Sequence, residues 1–118
     1  MNAETLAAAY IAAWNEPDPA LRRALIEETF AGNITYVDPV MAGEGHDGLD
    51  SLIASVHQRF PGFRFTLLDG ANGYGTHIRF SWELGPDGAE APIQGTDVAV
   101  IESGRIAKVI GFLDRVPA

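Results

Sequence analysis

The sequence predicts an α+β fold, in which a long antiparallel sheet packs on a layer of helices. Three observations support this fold class. Apolar residues recur at helical spacing in the first half, later segments alternate apolar and polar residues, and Gly-rich turns separate those later segments. A sheet of this length must curl to bury its apolar face on three helices. The 118 residues, 47% of them hydrophobic, are enough for one domain over residues 1–118.

Three helices are predicted in the first half of the chain. Asn2 or Thr5 caps the first, which ends near Asn15, and Asp18 caps the second, with Pro19 at its first position. The second helix ends near Phe30, and the third spans about 48–60. Their predicted buried stripes are Leu6, Ala9, Tyr10, Ala13 and Trp14; Leu21, Leu25, Ile26 and Phe30; and Leu49, Leu52, Ile53, Val56, His57 and Phe60.

Strands are predicted at 34–38, 63–68, 76–84, 93–102 and 106–113, with turns or loops at 31–33, 41–48 and 70–73. Pro39 ends the first strand, because proline cannot donate a ladder hydrogen bond. Ser103 and Gly104 join the last two strands into a hairpin. In strand 76–84 the predicted inner residues are Ile78, Phe80, Trp82 and Leu84, and the outer residues are His77, Arg79, Ser81 and Glu83.

Composition excludes several classes of function. A net charge of −8 with scattered Lys and Arg argues against nucleic acids and anionic membranes as partners. No segment approaches the roughly 20 apolar residues that a membrane span requires. The N-terminus lacks a positive region and contains Glu4, so no signal peptide is predicted and a cytoplasmic location is expected. Cys is absent, and no His or carboxylate spacing fits a metal site. We therefore predict neither a metal nor a cofactor.

Three polar residues lie on faces that otherwise are apolar. Tyr10 is on a helical stripe, Asp38 closes a strand, and Asp97 is mid-strand among small apolar residues. Burial of an unpaired polar group costs about 1–3 kcal/mol, and more if it is charged. A phenol and two carboxyl groups in one dry pocket could perform proton chemistry.

Each of these residues also has an ordinary structural explanation. Tyr10 could be a core tyrosine with its hydroxyl in water, and Asp38 could cap backbone amides in a turn. Asp97 could pair with an arginine across the sheet, such as Arg79 or Arg105. His57, on the apolar stripe of the third helix, fits a hydrogen-bonded core histidine better than a catalyst.

Two segments resemble the SnoaL-like branch of the nuclear transport factor 2-like superfamily. One is Ile34-Thr35-Tyr36-Val37-Asp38-Pro39 followed by Gly43 and Gly45. The other is Gly95-Thr96-Asp97-Val98 leading into Gly104-Arg105-Ile106. The resemblance covers nearly the whole chain. It implies a cone-shaped, cystatin-like fold, with a strongly curved, mostly antiparallel sheet wrapped on three helices.

Within that superfamily, the ketosteroid isomerases provide the closest chemical comparison. The resemblance implies that Tyr10 matches their oxyanion tyrosine, Asp38 their general base and Asp97 their second oxyanion donor, a carboxylic acid kept neutral by an apolar site. Phe30 stands where a supporting tyrosine is expected. Limonene epoxide hydrolases carry an arginine two residues before the aspartate, where this chain has Gly95.

We therefore expect an isomerase- or cyclase-like enzyme that transfers a proton α to the carbonyl of a small apolar compound. Isomerisation, aldol cyclisation and dehydration remain open. The predicted substrate-binding residues are Trp14, Tyr36, Met41, His57, Phe60, Ile78, Phe80, Trp82 and Leu113. The alternative is a non-catalytic module that binds a hydrophobic ligand or only dimerises. Under every reading we expect a homodimer through the open sheet face.

Overall fold

A computed structural model describes residues 2–117, which form three helices and seven strands. The helices are α1 (Ala3–Asn15), α2 (Pro19–Thr29) and α3 (Gly45–Arg59). The strands are β1 (Phe30–Val37), β2 (Ala42–Glu44), β3 (Phe63–Leu67), β4 (Asn72–Tyr74), β5 (His77–Pro86), β6 (Ile93–Glu102) and β7 (Arg105–Arg115). The α+β fold class is confirmed.

The strands form one curved, open sheet in the order β2-β1-β7-β6-β5-β3, and β4 also pairs with β5. The pairing between β1 and β7 is parallel, and the other pairings are antiparallel. The sheet is therefore mixed. Parallel pairing needs a long connection, and residues 38–104 lie between β1 and β7. The predicted hairpin between β6 and β7 is confirmed: Ser103 and Gly104 both have positive φ, at 52° and 80°.

Local sequence explains where the first two helices begin. The Asn2 side chain accepts a hydrogen bond from the Thr5 backbone N–H at 3.0 Å. The Asp18 side chain accepts one from the Leu21 N–H at 2.9 Å, and Pro19 follows at the first helical position. These are the caps predicted from sequence, with Asn2 rather than Thr5 used in α1.

The prediction that α2 buries Leu21 is wrong. Leu21 is 58% exposed, and the buried position belongs to Arg22. The Arg22 guanidinium lies 2.6 Å from the Asp50 carboxylate of α3 and donates to the Glu16 carbonyl. The Asp50 carboxylate and the Glu16 carbonyl together satisfy the buried guanidinium. A tertiary ion pair, and not the apolar stripe, therefore determines which residue is buried here.

Three predicted boundaries also differ from the structure. β1 begins at Phe30, because residues 31–33 form an irregular part of the strand and not a turn. The predicted loop 41–48 contains β2, and α3 starts at Gly45. The predicted turn 70–73 overlaps β4. Each of these segments is ordered by strand pairing, β1 with β7, β2 with β1 and β4 with β5, and β-propensity alone does not encode such pairing.

The core lies between the three helices and the inner face of the sheet. Its largest fully buried side chains include Phe30, Phe80, Ile26 and Ile34. A cavity remains between the helices and the sheet. Across residues 2–117, every helix is too short or too polar to cross a bilayer.

Candidate active site

A cavity of about 190 Å³ lies between the helices and the inner face of the sheet. Most of its wall is apolar or aromatic. The exceptions are the two phenols Tyr10 and Tyr36, the carboxylate of Asp38 and the guanidinium-bearing Arg59. The remaining lining residues are Trp14, Val40, Met41, Val56, Phe60, Phe65, Trp82, Leu84, Ile93, Leu113, Val116 and Pro117.

Of the three predicted catalytic residues, Tyr10 and Asp38 line this cavity, and Asp97 lies behind Tyr10. The Tyr10 hydroxyl donates to Asp97 Oδ2 at 2.7 Å, across 87 residues of sequence. The Phe80 ring packs against the Tyr10 ring in an edge-on contact, at 4.8 Å between centroids. The phenol is thus fixed by a carboxyl group on one side and an aromatic ring on the other.

Asp38 follows β1 and forms the turn that precedes β2. Its Oδ1 accepts hydrogen bonds from the backbone N–H groups of Val40 and Met41, at 2.7 and 2.8 Å. Its Oδ2 accepts the Tyr36 hydroxyl at 2.7 Å. The turn-capping role considered for Asp38 is therefore present. The same contacts hold the second oxygen at the cavity beside Tyr36, where it can also meet a ligand.

Gly111 is the point at which these groups meet. A Cβ atom at this position would lie 2.8 Å from Asp97 Oδ1, 3.1 Å from Asp38 Cβ and 3.6 Å from Tyr36 Oη. Gly111 is the direct cross-strand neighbour of Asp97. A residue without a side chain is required here, because a methyl group would occupy the space used by the Asp97 carboxyl group.

Asp97 is 1% exposed and forms no ion pair with the residues from 2 to 117. The alternative of an arginine partner is thus not realised in the structure. The Trp82 indole N–H lies close enough to lower the pKa of Asp97. It does not form a well-oriented hydrogen bond, since both Trp82 Nε1 and Asp97 Oδ1 lack a partner among the described residues. One carboxyl oxygen is therefore buried and unsatisfied.

Burial raises the pKa of three side chains at the site, those of Asp97, Tyr10 and Tyr36. Desolvation raises the pKa of Asp97 to about 6, the Tyr10 and Trp82 donors oppose this rise, and the negative charge of Asp38 adds to it. Burial, followed by the charge of Asp97, also raises the pKa of Tyr10 and of Tyr36 above the ordinary tyrosine value. Both phenols consequently remain protonated hydrogen-bond donors at neutral pH.

The raised pKa of Asp97 predicts a pH-dependent stability difference. Because its pKa increases from 3.8 to about 6 on folding, its contribution to stability is full below about pH 4 and is lost as pH rises through about 6. Relative to Asp97→Asn, the wild-type free energy of unfolding should fall by about 2–3 kcal/mol between about pH 4 and pH 8. Urea denaturation at both pH values measures this difference. Asp69→Asn, at an exposed turn, is the control. An equal pH dependence in the wild type and in Asp97→Asn would contradict the prediction.

The predicted substrate-binding residues separate into two groups. Trp14, Tyr36, Met41, Phe60, Trp82 and Leu113 line the cavity. His57, Ile78 and Phe80 do not. His57 Nε2 lies 2.7 Å from the Trp14 carbonyl oxygen, as expected of a hydrogen-bonded core histidine. Ile78 and Phe80 are buried on β5, where the sheet packs on α1.

Sequence reasoning missed several lining residues. It did not identify Arg59, and it treated Tyr36 as an apolar wall residue although Tyr36 hydrogen-bonds Asp38. The position of Tyr36 two residues before Asp38, on the same strand face, was the available signal. The other lining residues that were not predicted are Val40, Val56, Phe65, Leu84, Ile93, Val116 and Pro117. No group of three or more potential metal ligands occurs among residues 2–117.

The sequence model of the SnoaL-like domain matches residues 7–109, which include Tyr10, Asp38 and Asp97. The chain belongs to the SnoaL-like family. This result confirms the resemblance noted in the sequence. No protein with a curated description matches this SnoaL-like chain.

Solved structures support the same assignment. A candidate isomerase of the SnoaL-like family from Agrobacterium tumefaciens is 44% identical, with a TM-score of 0.91 over 95% of this chain and 97% of that one. A candidate polyketide cyclase from Sinorhizobium meliloti is 16% identical, with a TM-score of 0.72 over 91% and 93%. A protein with a ketosteroid isomerase-like fold from Catenulispora acidiphila, in complex with trimethylamine, is 21% identical, with a TM-score of 0.73 over 90% and 82%. The last two similarities show a shared fold.

Proposed function

We propose that this SnoaL-like protein is an enzyme that transfers a proton at the carbon α to the carbonyl of a small, largely apolar compound. The observation that carries the proposal is that Asp38 and Tyr10 both line one largely apolar cavity, with Tyr10 hydrogen-bonded to the buried carboxyl group of Asp97. The description of the 44% identical Agrobacterium protein as a candidate isomerase is consistent with this chemistry.

In the proposed step, Asp38 removes the α-proton and the electrons of the C–H bond form an enolate. Return of the proton to the same or another carbon gives exchange or isomerisation, and attack of the enolate on a second carbonyl gives cyclisation. The apolar wall, which includes Trp14, Trp82 and Leu113, excludes water from the reacting atoms. Tyr10 donates a hydrogen bond to the enolate oxygen.

Asp97 acts through Tyr10 in this mechanism. While Asp97 is ionised, the Tyr10 proton is engaged by Asp97 Oδ2 at 2.7 Å. When Asp97 is neutral, its own proton can be donated to the Tyr10 oxygen, and the Tyr10 proton is then free for the enolate. Because the pKa of Asp97 is about 6, this arrangement favours catalysis on the acidic side of that value.

Deuterium exchange tests the proposal without knowledge of the natural substrate. Acetophenone and cyclohexanone are incubated with the protein in D2O, and NMR measures deuterium at their α-carbons. We expect exchange above the buffer rate, with a larger protein-dependent rate at about pH 5.5 than at about pH 8. If both ketones bind but exchange no faster than in buffer, the protein is a binding module and the proposal fails.

We also propose a homodimer formed through the outer face of the sheet. Exposed apolar residues gather there on two neighbouring strands of the sheet: Val37 on β1, and Ile110 and Phe112 on β7. Beside them lies a polar chain, in which Ser81 and Thr96 are 2.7 Å apart and Thr96 donates to Asp114 at 2.6 Å. A second copy packed against this face would bury its apolar residues.

Phe112→Lys should dissociate this dimer. Phe112 is 55% exposed on β7, which lies between β1 and β6 in the sheet, so a lysine there places a charge from each copy in the apolar part of the proposed interface. Analytical ultracentrifugation should show a dimer for the wild type and a monomer for the variant. Leu21→Lys on α2, which is similarly exposed on the helix side, should remain dimeric. A wild-type monomer, or equal dissociation by both variants, would contradict the proposed interface.

A further inference from the structure

The cavity contains one cationic residue. Among its lining residues, Asp38 and Arg59 alone carry a formal charge, and the chain as a whole has a net charge of −8. A long-range field of this sign repels anions, so an anionic ligand would need a local cation to bind here. Arg59 is placed to be that cation.

Arg59 and the buried donors lie at different depths of the cavity. Arg59 is the last residue of α3 and is exposed, so it borders the opening. Tyr10 and Trp14 are buried and form the inner end. A ligand whose carbonyl meets Tyr10 extends toward the opening, which Arg59 borders together with the exposed Val40 and Val116.

The Arg59 guanidinium lies over an aromatic ring. Its central carbon lies 5.9 Å from the centroid of the Phe60 ring, and Phe60 also lines the cavity. This distance is within the range of a cation–π contact, which leaves the N–H donors of the guanidinium available to bind a carboxylate with two hydrogen bonds.

Arg59 has no carboxylate partner among residues 2–117; Arg64, Arg79 and Arg105 have none either, but these three do not line the cavity. A cation in the last turn of a helix also interacts favourably with the helix dipole. That effect explains a positive charge near the end of α3. It does not require the side chain to border the cavity, and it predicts no dependence on ligand charge.

We infer that the substrate carries an anionic group, most simply a carboxylate, at the end opposite its carbonyl, and that Arg59 binds this group and selects for it. The inference rests on the proposed function only for the position of the carbonyl. Arg59 is a specificity-determining residue in this scheme, and the proton transfer itself remains with Asp38 and Tyr10.

Two ketones that differ in one charge test the inference. 4-Acetylbenzoate and 4-acetylbenzamide share the same methyl ketone, and calorimetry measures their dissociation constants for the wild type, Arg59→Gln and Arg64→Gln. Arg64 is an exposed residue of β3 that does not line the cavity, so its substitution changes the net charge equally. We expect the wild type to bind the benzoate about five- to tenfold more tightly than the benzamide.

Arg59→Gln should reduce this preference to less than about twofold, and Arg64→Gln should keep it. Benzamide binding as tight as benzoate binding, or an equal loss of preference in both variants, would overturn the inference and leave the proposed function standing. A wild type that binds neither ketone would overturn the inference together with the ligand site. The deuterium-exchange measurement with uncharged ketones distinguishes these failures.

Discussion

Replacing Asp38 with asparagine is expected to lower the rate of α-proton exchange about a thousandfold, because a positioned general base contributes roughly 10²–10⁴ to such a step. An amide cannot accept the proton from carbon. Its oxygen can still accept from the Val40 and Met41 N–H groups, and its nitrogen can donate to the Tyr36 oxygen. The turn should therefore remain folded while the chemistry is lost.

NMR exchange rates and ketone dissociation constants, measured on the same Asp38→Asn sample, separate catalysis from binding. Binding of acetophenone should change little, because the apolar wall is intact. Asp87→Asn, at the exposed turn after β5, removes the same charge outside the cavity and should exchange at the wild-type rate. A folded Asp38→Asn protein that keeps its rate within about tenfold would show that another group is the base.

Replacing Tyr10 with phenylalanine is expected to lower the exchange rate about 10²–10³-fold, which is typical for the loss of one hydrogen-bond donor to an oxyanion. The substitution also removes the hydrogen bond of Asp97 Oδ2, so that both oxygens of a buried carboxyl group lack partners. The protein should be less stable by about 1–3 kcal/mol, and by more above pH 6, where Asp97 is charged.

Tyr36→Phe is the matched control for Tyr10→Phe, since both phenols line the cavity and bind an aspartate. Asp38 keeps two backbone donors without Tyr36, so a loss of about tenfold or less is expected. Exchange rates and urea unfolding at about pH 5.5 and pH 8 are compared for both variants. If the Tyr36 variant loses as much activity as the Tyr10 variant, the phenol that stabilises the enolate has been misassigned.

Two glycines at the site cannot be replaced by a larger residue without a steric clash. Gly111 leaves room for the Asp97 carboxyl group, and Gly95 leaves room for the Trp82 ring, whose Cζ2 atom would overlap any Cβ there. Each glycine is the direct cross-strand neighbour of the residue that it accommodates, Gly95 of Trp82 and Gly111 of Asp97. Close approach of side chain to backbone, and not turn formation, explains their presence in strands.

Periodicity alone was sufficient for the layers of this fold. The helical stripe of α1 and the alternation of β5 place Tyr10, Trp14 and Trp82 on inward faces, because helix and strand geometry fix which residues share a face. The same rule failed at α2, where Arg22 replaced Leu21 in the interior. The ion pair with Asp50 explains why Arg22 is buried, and no local pattern encodes a partner 28 residues away.

The amino-acid sequence by itself determined the α+β class, the caps of the first two helices, and the presence of three polar residues, Tyr10, Asp38 and Asp97, on otherwise apolar faces. Each of these features depends on neighbours a few positions away. Only the tertiary structure decided that Asp97 sits behind Tyr10 and that Tyr36 supports Asp38. It also decided that His57 turns away from the cavity while Arg59 borders it. Such choices follow from the curvature of the sheet and the packing of α3 on it, which are set by contacts between residues distant along the chain.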